Sequence, residues 1–70
     1  MHPKELGQII RNRREVLDIT QRDLAELSDM GLRTVKSLEN GKANPTLNTL
    51  NKVMDILGME LSIGVKKVNL

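Results

Sequence analysis

None of the seventy residues is Phe, Tyr, Trp or Cys. That omission limits what the chain can fold into more than any motif does. Without cysteine there is no disulfide staple and no thiolate metal site. The core must be built from Leu, Ile, Val, Met and Ala. Seventy residues allow one domain, and a domain that small buries a modest share of its surface. The aromatic stacking platforms of many single-strand binders are also missing. An oxidising compartment is not required.

The charge balance is mildly basic, with 11 Lys and Arg against 9 Asp and Glu and a pI of about 9.3. That is a weak hint of an anionic partner, carried by one face rather than one half of the chain. The opening MHPKELGQIIRNRREV has charges where a signal peptide needs an apolar run. The longest apolar runs are too short to span a bilayer, so no membrane partner is expected and the cytoplasm is the expected location. Catalysis is not expected either. His2 is the only histidine and sits at an expected mobile terminus, so a nucleophile–base pair or zinc site has almost nothing to build on. No Gly-rich phosphate loop is present. No cofactor is expected.

Pro3 suits the first turn of a helix. Leu6, Ile9, Ile10 and Leu17 follow at helical spacing, with Asp18 as a left-handed exit. Thr20 predicts an N-cap with Asp23 completing a capping box, and Ile19 and Leu24 flank it as a hydrophobic staple. A brief helix from Gln21 to about Ser28 offers Leu24, Ala25 and Leu27 for packing. Ser28-Asp29-Met30-Gly31 breaks the pattern as a tight turn. A third helix follows, with Gly31 as a weak N-cap, Val35 and Leu38 inward, and Asn40-Gly41 as its end. Thr46 caps a fourth, whose stripe is Leu47, Leu50, Val53, Met54 and Leu57, before Gly58 stops it. The period then changes to two. Met59, Leu61, Ile63 and Val65 alternate with Glu60, Ser62, Gly64 and Lys66, which predicts a half-buried strand that slips at Lys67-Val68.

Two short helices joined by a tight turn, the second exposing a polar face, form a helix-turn-helix. Leu32, Arg33, Lys36 and Ser37 are placed opposite Val35 and Leu38. That face suits a DNA major groove. Arg33 can donate two hydrogen bonds to guanine, Lys36 can reach a base or phosphate, and Ser37 can do either. Leu32 can touch a thymine methyl or deoxyribose, or pack against a neighbour. Outside this setting Arg33 and Lys36 would be only a solvated face. The methionines read as core filler, and Asn44, Asn48 and Asn51 as loop and helix-surface residues.

The run TQRDLAELS, the turn, and then TVKSLENGKANPTLNTL resemble the lambda-repressor-like, Xre-type helix-turn-helix family. Thr20-Gln21, Leu24-Ala25, Val35, Leu38-Glu39, Gly41 and Pro45 carry the resemblance, which covers about Leu6 to Leu57. It implies an all-α bundle of four or five short helices that binds a palindromic double-stranded operator as a homodimer. It implies base contacts from Gly31, Leu32, Arg33, Lys36 and Ser37. It implies phosphate contacts from Thr20 and Gln21, where a helix N-terminus favours an anion, and from Asn40 and Lys42. It also implies an ion pair between Arg14 and Glu39, tying the first helix to the third. Two positions depart from the family pattern: Asp29 stands where the turn usually has Gly, and Leu32 where the third helix is usually polar.

The segment GMELSIGV after the helices resembles the HipB-type antitoxins, which add a strand there. That likeness implies a C-terminal β-strand pairing across the dimer through Met59, Leu61, Ile63 and Val65, and a HipA-like kinase toxin as a second partner. The expected organisation is a DNA-binding domain over residues 1–58 and a dimerisation tail over residues 59–70. The expected role is an autoregulatory repressor acting as antitoxin. The alternatives are a free-standing Xre-type or phage or restriction–modification regulator, and an interaction module that has lost DNA binding.

Overall fold

Four helices form in the computed structural model, which describes residues 1–66: α1 (Pro3–Val16), α2 (Gln21–Leu27), α3 (Leu32–Glu39) and α4 (Leu47–Ile56). Three of the four starts are capped by a side chain. Thr20 and Asp23 form the reciprocal capping box of α2, at 2.9 and 3.0 Å. Thr46 caps α4 by accepting from the Thr49 N–H at 3.1 Å. His2 is not loose: its Nδ1 accepts from the Lys4 N–H at 3.2 Å and caps α1 just ahead of Pro3. Gly31 begins α3 with no side-chain cap.

All four helices end alike. Asp18, Asp29, Gly41 and Gly58 follow the C-caps with φ of 56°, 55°, 72° and 67°. The next residue then bonds back five positions, Ile19 to Arg14, Met30 to Ala25, Lys42 to Ser37 and Met59 to Met54, at 2.8 to 3.2 Å. This is the Schellman closure, and it satisfies carbonyls that a helix end would otherwise orphan. Ile19, Met30 and Met59 each add an apolar side chain to the core from that position. At Asp29 the left-handed backbone explains why Gly is usual there, since Gly meets no steric penalty in that region.

Helix α3 is the hub. It packs against both α1 and α2, and α2 also touches α4. The core is Ile10, Leu24, Ala25, Val35, Leu38, Val53, Met54 and Leu57, all buried. Several residues expected on inward stripes are not: Ile9, Leu17, Leu27 and Leu47 remain exposed. The cause is a small rotation. In α1 the stripe facing α3 is Gly7, Ile10 and Arg14, spaced i, i+3, i+7, so Ile9 falls off its edge. Helix α2 is two turns long, and only Leu24 and Ala25 point in.

Gly7 sets how closely α1 and α3 approach. A Cβ there would overlap the Glu39 carbonyl oxygen and lie 2.6 Å from that of Leu38, both backbone atoms that cannot rotate away. Overpacking of this kind costs about 1–3 kcal/mol. The better helix propensity of Ala returns at most about 1 kcal/mol. Gly7→Ala should therefore lower the denaturation midpoint, and Gly7→Val should lower it further. A midpoint that rises in Gly7→Ala would show that the two helices can separate at no cost.

The expected strand does not form among the described residues. Residues 59–66 form no ladder, and no second strand lies among the described residues to pair with them. Nor does the alternating apolar face lie on the helices as a whole. Met59 packs on the core and Leu61 is partly covered, but Ile63 and Val65 stand fully in solvent. The slip expected at Lys67-Val68 lies outside the described residues.

Candidate nucleic-acid interface

The exposed face of α3 follows from its pitch. At about 100° per residue, Val35, Leu38 and Glu39 share one side, and all three are buried. Arg33, Lys36 and Asn40 lie on the other side and are exposed, with Ser37 partly so. Among the described residues neither Arg33 nor Lys36 enters an ion pair. Both cations are therefore available to an external anion or base. Gly31 is exposed at the start of the helix. Leu32 does not lie opposite Val35, as its expected placement had it. It lies about 60° from Val35 around the helix and is half-buried against the core. Its side chain packs on the core at the edge of the exposed face.

Behind this face sits Glu39, whose side chain is wholly withdrawn from solvent. Arg14 grips it in a fork, Nε to Oε2 at 2.8 Å and Nη2 to Oε1 at 3.1 Å. Arg14 Nη1 also donates to the Ile19 carbonyl at 2.9 Å, tying the α1 exit to the same network. Arg11 Nε reaches Oε1 at 3.3 Å and Gln21 Nε2 reaches it at 3.1 Å. One carboxylate thus joins α1, α2 and α3. Burial alone would push the Glu39 carboxyl up, but the hydrogen bonds from Arg14, Gln21 and Arg11 outweigh it and hold the group below its ordinary value. The same Glu39 hydrogen bond raises Arg14 against the opposing effect of burial.

The remaining expected contacts surround α3. Thr20 and Gln21 meet at the start of α2, Thr20 exposed and Gln21 half-buried. The Thr20 oxygen already accepts from the Asp23 N–H. Gln21 gives one amide hydrogen to Glu39 and keeps the other. Asn40 and Lys42 are exposed at the other end of α3. Three further residues hold this arrangement together. Arg11 joins the Glu39 network. Arg13 donates from Nε to the Leu57 carbonyl at 2.8 Å, closing the end of α4 against α1. Ser28 is buried and donates its hydroxyl to the Leu24 carbonyl, turning the chain out of α2. The two arginines belong to the Arg-rich run IRNRRE, which gave no direction for each guanidinium.

A helix, a tight turn and a second helix with free cations on its outer face define a helix-turn-helix domain. A helix-turn-helix family model matches residues 10–63, and the chain belongs to the lambda-repressor-like, Xre-type family of DNA-binding regulators. The chain is similar to an ImmF control region 10 kDa protein of Bacillus phage phi105, 25% identical over 60 residues that cover 86% of this chain and 67% of the phage protein. Its fold is similar to that of the clp gene regulator ClgR from Corynebacterium glutamicum, with a TM-score of 0.80 and 29% identity. That match covers 84% of this chain but only 63% of the regulator's chain. No helix among the described residues is long and apolar enough to cross a membrane.

Proposed function

We propose that this chain is a sequence-specific repressor that lays α3 in the major groove of a palindromic operator. The observation that carries the reading is the outer face of α3, free Arg33 and Lys36 mounted on the buried Glu39 network. Arg33 reads a base, Lys36 and Ser37 complete the groove contacts, and Gly31 allows close approach. Thr20, Gln21, Asn40 and Lys42 hold phosphates on either side. Phosphate contacts fix register and base contacts give sequence. Selection of duplexes from a random pool by the intact chain tests this. Enrichment of one palindrome, its half-sites roughly 34–36 Å apart, is expected. A pool that stays random after selection would refute it.

Within that class, similarity to a phage control-region protein favours a cytoplasmic, phage-type regulator. The antitoxin reading, with a HipA-like kinase as partner, rests on the alternation of residues 59–65 alone. Co-purification with a kinase expressed from an adjacent gene would favour it.

The palindrome requires two copies, and the tail over residues 59–70 is our proposed dimerisation element. Residues 59–66 of it form no ladder, and Ile63 and Val65 are fully exposed. Two such tails related by a two-fold axis can pair antiparallel and cover each other's apolar residues. Replacing both Ile63 and Val65 with Lys should leave the monomer fold intact, because neither touches the core. It should weaken dimerisation by about 3 kcal/mol or more, given about 1.5–3 kcal/mol for each buried side chain of this size. Sedimentation at micromolar concentration reads the result. A double variant as dimeric as the parent would place the interface on the helices.

A further inference from the structure

Glu39 brings more than Gln21 to the edge of the DNA-facing surface. Arg11 and Gln21 donate to the same oxygen, Oε1, at 3.3 and 3.1 Å. The two side chains are therefore neighbours, although they come from different helices. Arg14 is spent. Its side chain is 12% exposed, and all three of its nitrogens are bonded inward. Arg11 differs. Only its Nε is bonded, and its side chain is 40% exposed. Both terminal nitrogens remain for another partner, on a guanidinium whose orientation Glu39 already fixes. Both guanidinium groups bond to the Glu39 carboxylate, and Arg11 is the one whose outer nitrogens face solvent.

We propose that Arg11 forms, with Gln21, a phosphate-binding subsite of the DNA interface. Glu39 acts as the positioning residue that aims both. This rests on the DNA-binding reading above and extends it to α1. A bound duplex is clamped from α1 as well as from the starts of α2 and α3. A guanidinium held through Nε presents its two remaining nitrogens as a fork, the geometry that matches two oxygens of one phosphate. Gln21, giving one amide hydrogen to Glu39, directs the other to the same phosphate or to the next one.

The test is the salt dependence of binding to a random-sequence duplex, where phosphate contacts dominate. Each neutralised phosphate contributes about 0.9 to the slope of log K against log salt concentration. Arg11→Gln keeps a hydrogen-bond donor toward Glu39 but no charge. It is expected to reduce the slope by about one while its melting temperature stays close to that of the parent. Arg11→Lys is expected to keep the slope. Arg13→Gln removes the same charge from the same helix, on the side facing Leu57, and is expected to lower the slope clearly less. If Arg11→Gln binds with the parent's slope, or if Arg13→Gln lowers the slope as much, the subsite is refuted while the DNA-binding reading stands. If the parent chain shows no salt-dependent binding to duplex at all, both fall together.

Discussion

Arg14→Ala should remove most of the stability of this domain. The substitution leaves the Glu39 carboxylate buried, with only Arg11 Nε and Gln21 Nε2 beside it. Breaking a buried pair by deleting one partner costs about 3–5 kcal/mol. The two remaining donors place the expected loss near the lower end, about 3 kcal/mol. Arg14 also holds the Ile19 carbonyl at the α1 exit, and that contact is lost as well. Small domains are stable by only about 5–15 kcal/mol, with chains of this size toward the bottom of that range. Denaturant titration of Arg14→Ala should show a midpoint shifted far below the parent's. Arg14→Lys should recover part of the loss, because a lysine replaces the charge but not the two-pronged grip. A loss below about 1 kcal/mol, the value typical of a surface pair, would mean that water reaches Glu39.

The same network fixes the response to acid. The folded-state value of Glu39 lies below its ordinary value of 4.5. Its contribution is therefore complete above about pH 4.5 and is lost as pH falls through the lower folded value. Asp23, lowered by its bond to the Thr20 backbone N–H and then by the Thr20 hydroxyl, acts with the same sign. Stability should thus fall with acid in the parent and fall less steeply in Glu39→Gln, which lacks the Glu39 carboxylate. Parallel acid curves for the two proteins would contradict the account of Glu39.

What the sequence disclosed was mainly local chemistry. Thr20 with Asp23, Thr46, Pro3 and the left-handed Asp18 act through neighbours within four residues, and all four do in the fold what their types require. Tertiary geometry was harder to see. Gly7 looks like an ordinary glycine within a helical pattern, because nothing in α1 reveals the Leu38 and Glu39 carbonyls pressed against it. Arg11, Arg13 and Arg14 are near-identical in sequence, yet one reaches Glu39 and remains exposed, one closes α4, and one is enclosed. A flexible stem lets the fold, not the sequence, choose among these partners. Leu32 was legible only to within one helical edge, and an offset of about 60° turns a surface residue into a packed one. The tail is a different case: alternation marks a strand, but a strand also needs a partner, and the described residues supply none.

Arg33→Ala should be the variant that most alters recognition. Arg33 is exposed, enters no ion pair among the described residues, and lies well away from the buried stripe of α3. Its truncation should leave the fold unchanged, so any effect belongs to binding. A guanidinium bidentate to guanine discriminates by about 1–3 kcal/mol per half-site. If two copies read a palindrome, as proposed, the loss at the operator should reach the upper part of that range or exceed it. Lys36→Ala should lose less, because a single ammonium is a less directional reader than a planar fork.

The most direct measurement is competition between the selected operator and a random duplex, at one salt concentration, for the parent, Arg33→Ala and Gln21→Ala. The parent should prefer the operator strongly. Arg33→Ala should retain random-duplex binding and lose most of that preference. Gln21→Ala should weaken both duplexes alike, because a phosphate contact carries no sequence information of its own. Equal weakening of both duplexes by Arg33→Ala, with the preference intact, would contradict the claim that α3 reads the operator through this residue.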